Sequence, residues 1–180
     1  MGLVFKWLIF VSSYIPVFVM IFLNQLKAFS EYSLKKTWHL NPTFWWSLII
    51  ISVVSIITLE IWLKLLKNES KTNKNSFKID HIQSYDSEVL NYFVTFIIPI
   101  LSLKPESLPS VVMNMLLLVI EGIYFVSNNA LHYNVLLIIR RFHIYTFGDD
   151  NIIITKKKKS DLIFDEPEAK QVGTTNIYYI

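Results

Sequence analysis

The sequence predicts an all-α polytopic membrane protein: four transmembrane helices and a small C-terminal cytosolic β tail, a hairpin or three strands. Three observations predict it. Of 180 residues, 53% are hydrophobic and only 17% charged, a balance rarely seen in a soluble domain that also carries several long uncharged runs. Four such runs, about 3–23, 44–63, 88–103 and 110–127, approach the ~20 residues a helix needs to cross a ~30 Å hydrocarbon core. Beyond residue 139 the apolar period shortens to that of strands. The chain therefore reads as a membrane domain, 1–139, with a cytosolic loop at 64–85, followed by a basic tail, 140–180.

In the first run, Trp7–Leu23 carries no charge, and Lys6 before it can snorkel to the cytoplasmic side. A signal peptide has similar features, but no small-x-small cleavage site follows, so a retained span is expected. Pro16 removes a backbone donor and should bend this helix, with Ser12 and Ser13 available to satisfy freed groups. Asn24–Thr43 is polar with interspersed aromatics and suits a short interfacial helix. Asn41-Pro42 then opens the second run. Trp45, Trp46 and Trp62 sit at its two ends, as in an aromatic belt, and Ser52, Ser55 and Thr58 form a narrow small-residue face. Glu60 has Lys64 at i+4, which reads as a surface ion pair.

Lys64–Tyr85 is Lys-rich, and its centre, Asn68–Ser76, reads as a mobile loop tip. Asp86, Ser87 and Glu88 suit the N-terminus of the third helix. That run is short and contains Pro99, so a re-entrant segment is the alternative to a true span. The Pro-bracketed turn Lys104–Pro109 leads into the fourth run. Leu131–Ile139 is too short to cross and should lie at the interface. Phe142–Phe147, Gly148-Asp149-Asp150 and Asn151–Thr155 read as a hairpin, with Asn176–Ile180 as a third strand. A lone hairpin is marginal, so the tail needs that strand or a partner.

Charge sets the topology. Lys6, the five lysines of the 64–85 loop, Arg140, Arg141, Lys156–Lys159 and Lys170 total thirteen on one side, against Lys27, Lys35, Lys36 and Lys104 on the other. Both termini and the loop are therefore expected in the cytoplasm of a bacterial inner membrane.

The residue most in need of explanation is Glu121, near the middle of the fourth run. A carboxylate at that depth costs about 3 kcal/mol on insertion scales, so it must face protein or water. Asn114, Glu121 and Asn128 are seven apart and nearly aligned, and Tyr124 is on the same side. Asn91 and Thr95 on the third run are natural partners. Two readings stand: a proton or cation site, and a protonated glutamate locking helices together. For Asn91 and Thr95 the plain alternative is ordinary interhelical hydrogen bonding, about 0.6 kcal/mol each. Arg140, Arg141, Lys156, Lys157, Lys158 and Lys159 are the candidate contacts to anionic lipid or to a cytosolic partner.

Several functions are disfavoured. With no Cys, disulfides and thiolate metal sites are excluded. His39, His81, His132 and His143 have no metal-ligand spacing. No phosphate-cradling Gly loop, nucleophile elbow or carboxylate pair is visible, so neither cofactor nor enzyme activity is expected. Any pore would need several copies, because four spans enclose no wide pathway.

Three stretches carry a resemblance over most of the chain: VSSYIPVF (11–18), DSEVLNYFVTFIIPIL (86–101) and YTFGDDNIIITKKK (145–158). They resemble small four-span bacterial membrane proteins of phage defence, in particular the KwaA family, the membrane subunits of the Kiwa system. The resemblance implies an oligomeric inner-membrane sensor of phage attack, acting with a cytosolic DNA-binding effector encoded nearby. On that expectation the chain contacts membrane lipid, its own copies and the effector, but no nucleic acid directly. A pore-forming or proton-conducting effector is the alternative. No functional residue is carried over from the family.

Overall fold

The computed structural model describes residues 2–72, 76–77, 82–101, 103–128, 130–148, 151–164, 169–172 and 175–180. Contacts divide the chain into two units, Met1–Thr58 with Phe93–Leu131, and Leu59–Tyr92 with His132–Ile180.

The first unit is helical. The N-terminal run forms α1 (Leu3–Ser12) and α2 (Ile15–Gln25), bent by 46°. Pro16 stands in the first turn of α2, where its missing N–H is not needed. The break is closed by tighter i→i−3 bonds, Ser13 N to the Phe10 carbonyl and Tyr14 N to the Val11 carbonyl, both 3.0 Å. Ser12 and Ser13 hydroxyls donate one turn back, to the carbonyls of Ile9 (2.6 Å) and Phe10 (2.7 Å). The expected bend and its serines are thus found together. The polar connection 24–43 forms α3 (Glu31–Leu40), with Ser30 as its N-cap accepting from Ser33 N.

Among the described residues two helices are long and apolar enough to cross a membrane. One is Pro42–Lys71, within α4 (Pro42–Thr72), and the other is Leu108–Ser127, which is α6. The bent α1–α2 pair makes a third if it is one span. The expected third run forms α5 (Asp86–Leu101), at 16 residues below that length. All four apolar runs are therefore helical, and two or three of them are of crossing length. Only 28% of each crossing window is buried, while Ile50, Val53, Ile57, Leu116, Ile120 and Ile123 are exposed and Ser55, Thr58, Asn114 and Glu121 are buried. Apolar outside with polar inside is an arrangement for a hydrocarbon solvent, since water would drive the reverse. Of the three tryptophans read as an aromatic belt, only Trp46 is exposed. Trp45 and Trp62 are buried, and Trp45 Nε1 donates to the Thr37 carbonyl at 2.9 Å.

The second unit is built on a six-stranded sheet of β1 (Ser76–Phe77), β2 (Gln83–Ser84), β3 (His143–Phe147), β4 (Asn151–Thr155), β5 (Ala169–Gln171) and β6 (Ile177–Tyr179). The order is β1-β5-β6-β4-β3-β2. Among the described residues only β4 and β6 pair in parallel, with Ile153 opposite Tyr178. β3 and β4 form the expected hairpin, Tyr145 opposite Ile153. Gly148 leaves it at φ 55, a conformation that favours glycine; Asp149 and Asp150 lie outside the described residues. One face holds Tyr145, Phe147, Ile153 and Tyr178 under Leu162 of α8 (Lys159–Phe164). Ile152 and Ile154, on the other face, are also buried. This accounts for the unbroken Ile152-Ile153-Ile154 run in a central strand.

Two expectations need correction here. The tail is not a self-contained hairpin or three-strand unit, because β1 and β2 come from the lysine-rich connection. Nor is all of Asn68–Ser76 a loop tip: α4 continues to Thr72 and Ser76 begins β1, while residues 73–75 lie outside the described residues. Glu69 and Lys71 are good helix formers, so a polar stretch can extend an apolar helix into water. The short apolar run 131–139 forms α7 (Val135–Ile139), N-capped by Asn134. It ends in a Schellman turn. Phe142 N reaches the Leu137 carbonyl and Arg141 N the Ile138 carbonyl, both 2.9 Å, with Arg141 at φ 61. Asp86, at the start of α5, accepts from Ile144 N (2.8 Å) and pairs with His143 Nδ1 (3.0 Å), pinning that helix to β3.

Candidate functional site

Glu121 lies on α6 and is 5% exposed. One carboxyl oxygen, Oε2, accepts a hydrogen bond from the Tyr14 hydroxyl, and Tyr14 is itself buried at the α1–α2 break. The other, Oε1, is buried with no partner among the described residues. The break positions the tyrosine: residues 13 and 14 form the tight turn between α1 and α2, and the side chain that follows Ser12-Ser13 meets α6.

Close approach is made possible by Gly122. A Cβ added there would lie 2.0 Å from Trp7 Cζ3, so the indole occupies the space a side chain would need. Phe10 packs on Phe125 with ring centroids 5.0 Å apart, and on Tyr14 at the same separation. Aromatic rings of the first run thus pack on the α6 positions beside Glu121, and one hydroxyl fastens the carboxyl.

The other expected site residues divide. Asn114 is buried, with Nδ2 donating to the Ser110 carbonyl at 2.9 Å. It borders an apolar cavity of about 270 Å³ with Val111, Leu118 and Phe18. Asn128 is the exposed C-cap of α6, donating to the Tyr124 carbonyl at 2.8 Å. Tyr124 is 62% exposed and does not join Glu121. The heptad alignment thus holds for the two residues inside α6 and fails at its end, where the backbone takes the third side chain. Asn91 is exposed on α5, and the Thr95 side chain lies outside those described. The partner that pattern reading missed is Tyr14. Its signal was a hydroxyl-bearing ring two residues before the proline of an apolar run; Gly122 beside Glu121 was the signal for the close contact.

In the second unit Arg140 pairs with Glu60, so the expected Glu60–Lys64 pair is replaced by a contact 80 residues away. Arg141 is exposed, as are Lys156, Lys158 and Lys159; Lys157 is half-buried. His132 packs on Tyr133 and Tyr85 with centroids 4.5 and 5.9 Å away. Burial holds its pKa down, at about 4, and its Nδ1 has no hydrogen-bond partner among the described residues. Among the described residues no three of His, Asp and Glu gather as a metal would require.

A family model described as anti-phage protein KwaA matches residues 5–179. No curated protein and no solved structure matches the chain.

Proposed function

This chain belongs to the anti-phage protein KwaA family, and we propose that it is a non-enzymatic sensor or scaffold subunit that recruits a cytosolic effector encoded nearby. In this reading it crosses the bacterial inner membrane four times, keeps both termini in the cytoplasm and assembles with its own copies. The thirteen-to-four distribution of basic residues supports that orientation. The observation that carries the recruiting role is the sheet. Strands from the 64–85 connection and from the tail pair in one six-stranded sheet, which joins the described parts of the two basic segments in one folded body. Lys158 and Lys159 are exposed on it.

The test is the double charge reversal K158E/K159E in the full chain. Membrane insertion should be unchanged, while co-purification of the neighbouring gene product and protection in plaque assays should both fall. Full retention of both would remove the recruiting role.

The unpartnered Oε1 of Glu121 supports a second reading, an oligomeric pore or proton-conducting effector with Glu121 at its constriction. The hydrogen bond from Tyr14 of the same chain favours the first, because it gives the carboxyl a fastening role. Glu121→Gln should abolish conductance in liposomes under the second reading and leave effector binding intact under the first.

A further inference from the structure

The second unit contains a cavity of about 640 Å³. Lys64 and Lys67 line it from the end of α4, Arg140 from the C-cap of α7, Lys156 from the residue after β4, and Tyr179 from β6. Glu60, the remaining charged group, is paired with Arg140. Setting that pair aside leaves three lysines around one concavity. None of the three joins an ion pair among the described residues. Like charges converging on a cavity repel one another, and an anion bound between them relieves the repulsion.

The fold holds these groups in place. Glu60, Lys64 and Lys67 fall on one face of α4, at spacings of four and three. Arg140 is fixed by the Schellman turn and by Glu60, with further guanidinium N–H donors beyond the one used. The Lys156 ammonium sits 4.9 Å above the Phe142 ring. Tyr179 is set beside Ile154 by the parallel pairing of β4 and β6, and its phenol is protonated at neutral pH and able to donate. Three ammonium groups, a guanidinium fork and a phenol are donors suited to a tetrahedral oxyanion.

We propose that this cavity is a binding site for a phosphate group. Two sources share that chemistry: the headgroup of an anionic phospholipid and a free phosphate. The lysines follow directly on the apolar stretch of α4, which is where a headgroup would be met. The proposal does not rest on effector recruitment.

Full-length protein purified in neutral detergent is examined by native mass spectrometry and thermal unfolding. One arm adds micelles doped with dioleoylphosphatidylglycerol against dioleoylphosphatidylcholine, and the other adds inorganic phosphate against chloride at equal ionic strength. Wild-type protein should retain phosphatidylglycerol or be stabilised by phosphate, and the arm that responds identifies the source. K64Q/K67Q should weaken that binding about tenfold or more. K156Q should weaken it as well, while K36Q/K104Q, which removes two exposed lysines outside the cavity, should leave it unchanged. No response of wild type in either arm overturns the proposal. So does equal weakening by K36Q/K104Q, which would mark a diffuse charge effect.

Discussion

Replacing Gly122 by alanine probes the contact on which the Glu121 site is built. The new Cβ would lie 2.0 Å from Trp7 Cζ3 and 2.4 Å from Cη2, so the indole must retreat to the 3.4 Å or more of ordinary contact. Trp7 packs edge-on against Phe10 at 5.8 Å, and Phe10 against Phe125 and Tyr14, so the retreat disturbs the rings that hold Tyr14, the partner of Glu121. Overpacking of this kind costs about 1–3 kcal/mol. Alanine returns about 1 kcal/mol in helix propensity. The net expectation for Gly122→Ala is a loss of ~1 kcal/mol. In a Trp7→Ala background the obstruction is gone, and the same substitution should stabilise by up to ~1 kcal/mol. Reversible unfolding of all four variants in mixed micelles measures the coupling, expected near 2 kcal/mol. Equal effects of Gly122→Ala in both backgrounds, with coupling under ~0.5 kcal/mol, would refute the close packing of Trp7 on α6.

Three further outcomes are expected. Tyr14→Phe removes the donor to Glu121 and should cost about 1 kcal/mol, within the range of interhelical bonds in bilayers; in a cycle with Glu121→Gln the two changes should be non-additive, and simple additivity would show that the pair does not interact. Arg141→Gly relieves a left-handed residue at φ 61 and should raise stability by ~1 kcal/mol in thermal unfolding; a loss instead would point to a contact made by the Arg141 side chain. His132 is held neutral by burial, with its pKa lowered to about 4 from 6.5, so its contribution is complete above pH 6.5 and is lost as pH falls towards 4. At ~1.4 kcal/mol per unit, the loss should reach about 2 kcal/mol after allowing for its partial exposure, and His132→Gln should flatten that part of the unfolding–pH curve.

By itself the sequence determined the features that depend on local period and on transfer from water. The four apolar runs became helices, the proline run bent, and the short β-branched and aromatic runs bracketing Gly148 became β3 and β4. It also determined that Glu121 had to be hidden, because the cost of exposing a carboxylate to hydrocarbon does not depend on which neighbour hides it. What only the tertiary structure decided is who that neighbour is. Tyr14 meets Glu121 across 107 positions, Arg140 displaces Lys64 as the partner of Glu60, and two-residue strands from a polar connection join the tail to complete the sheet. Such pairings follow from register, close approach at a glycine and the geometry of a helix break. Local periodicity records which face of an element is apolar, and it does not record which distant residue will arrive there.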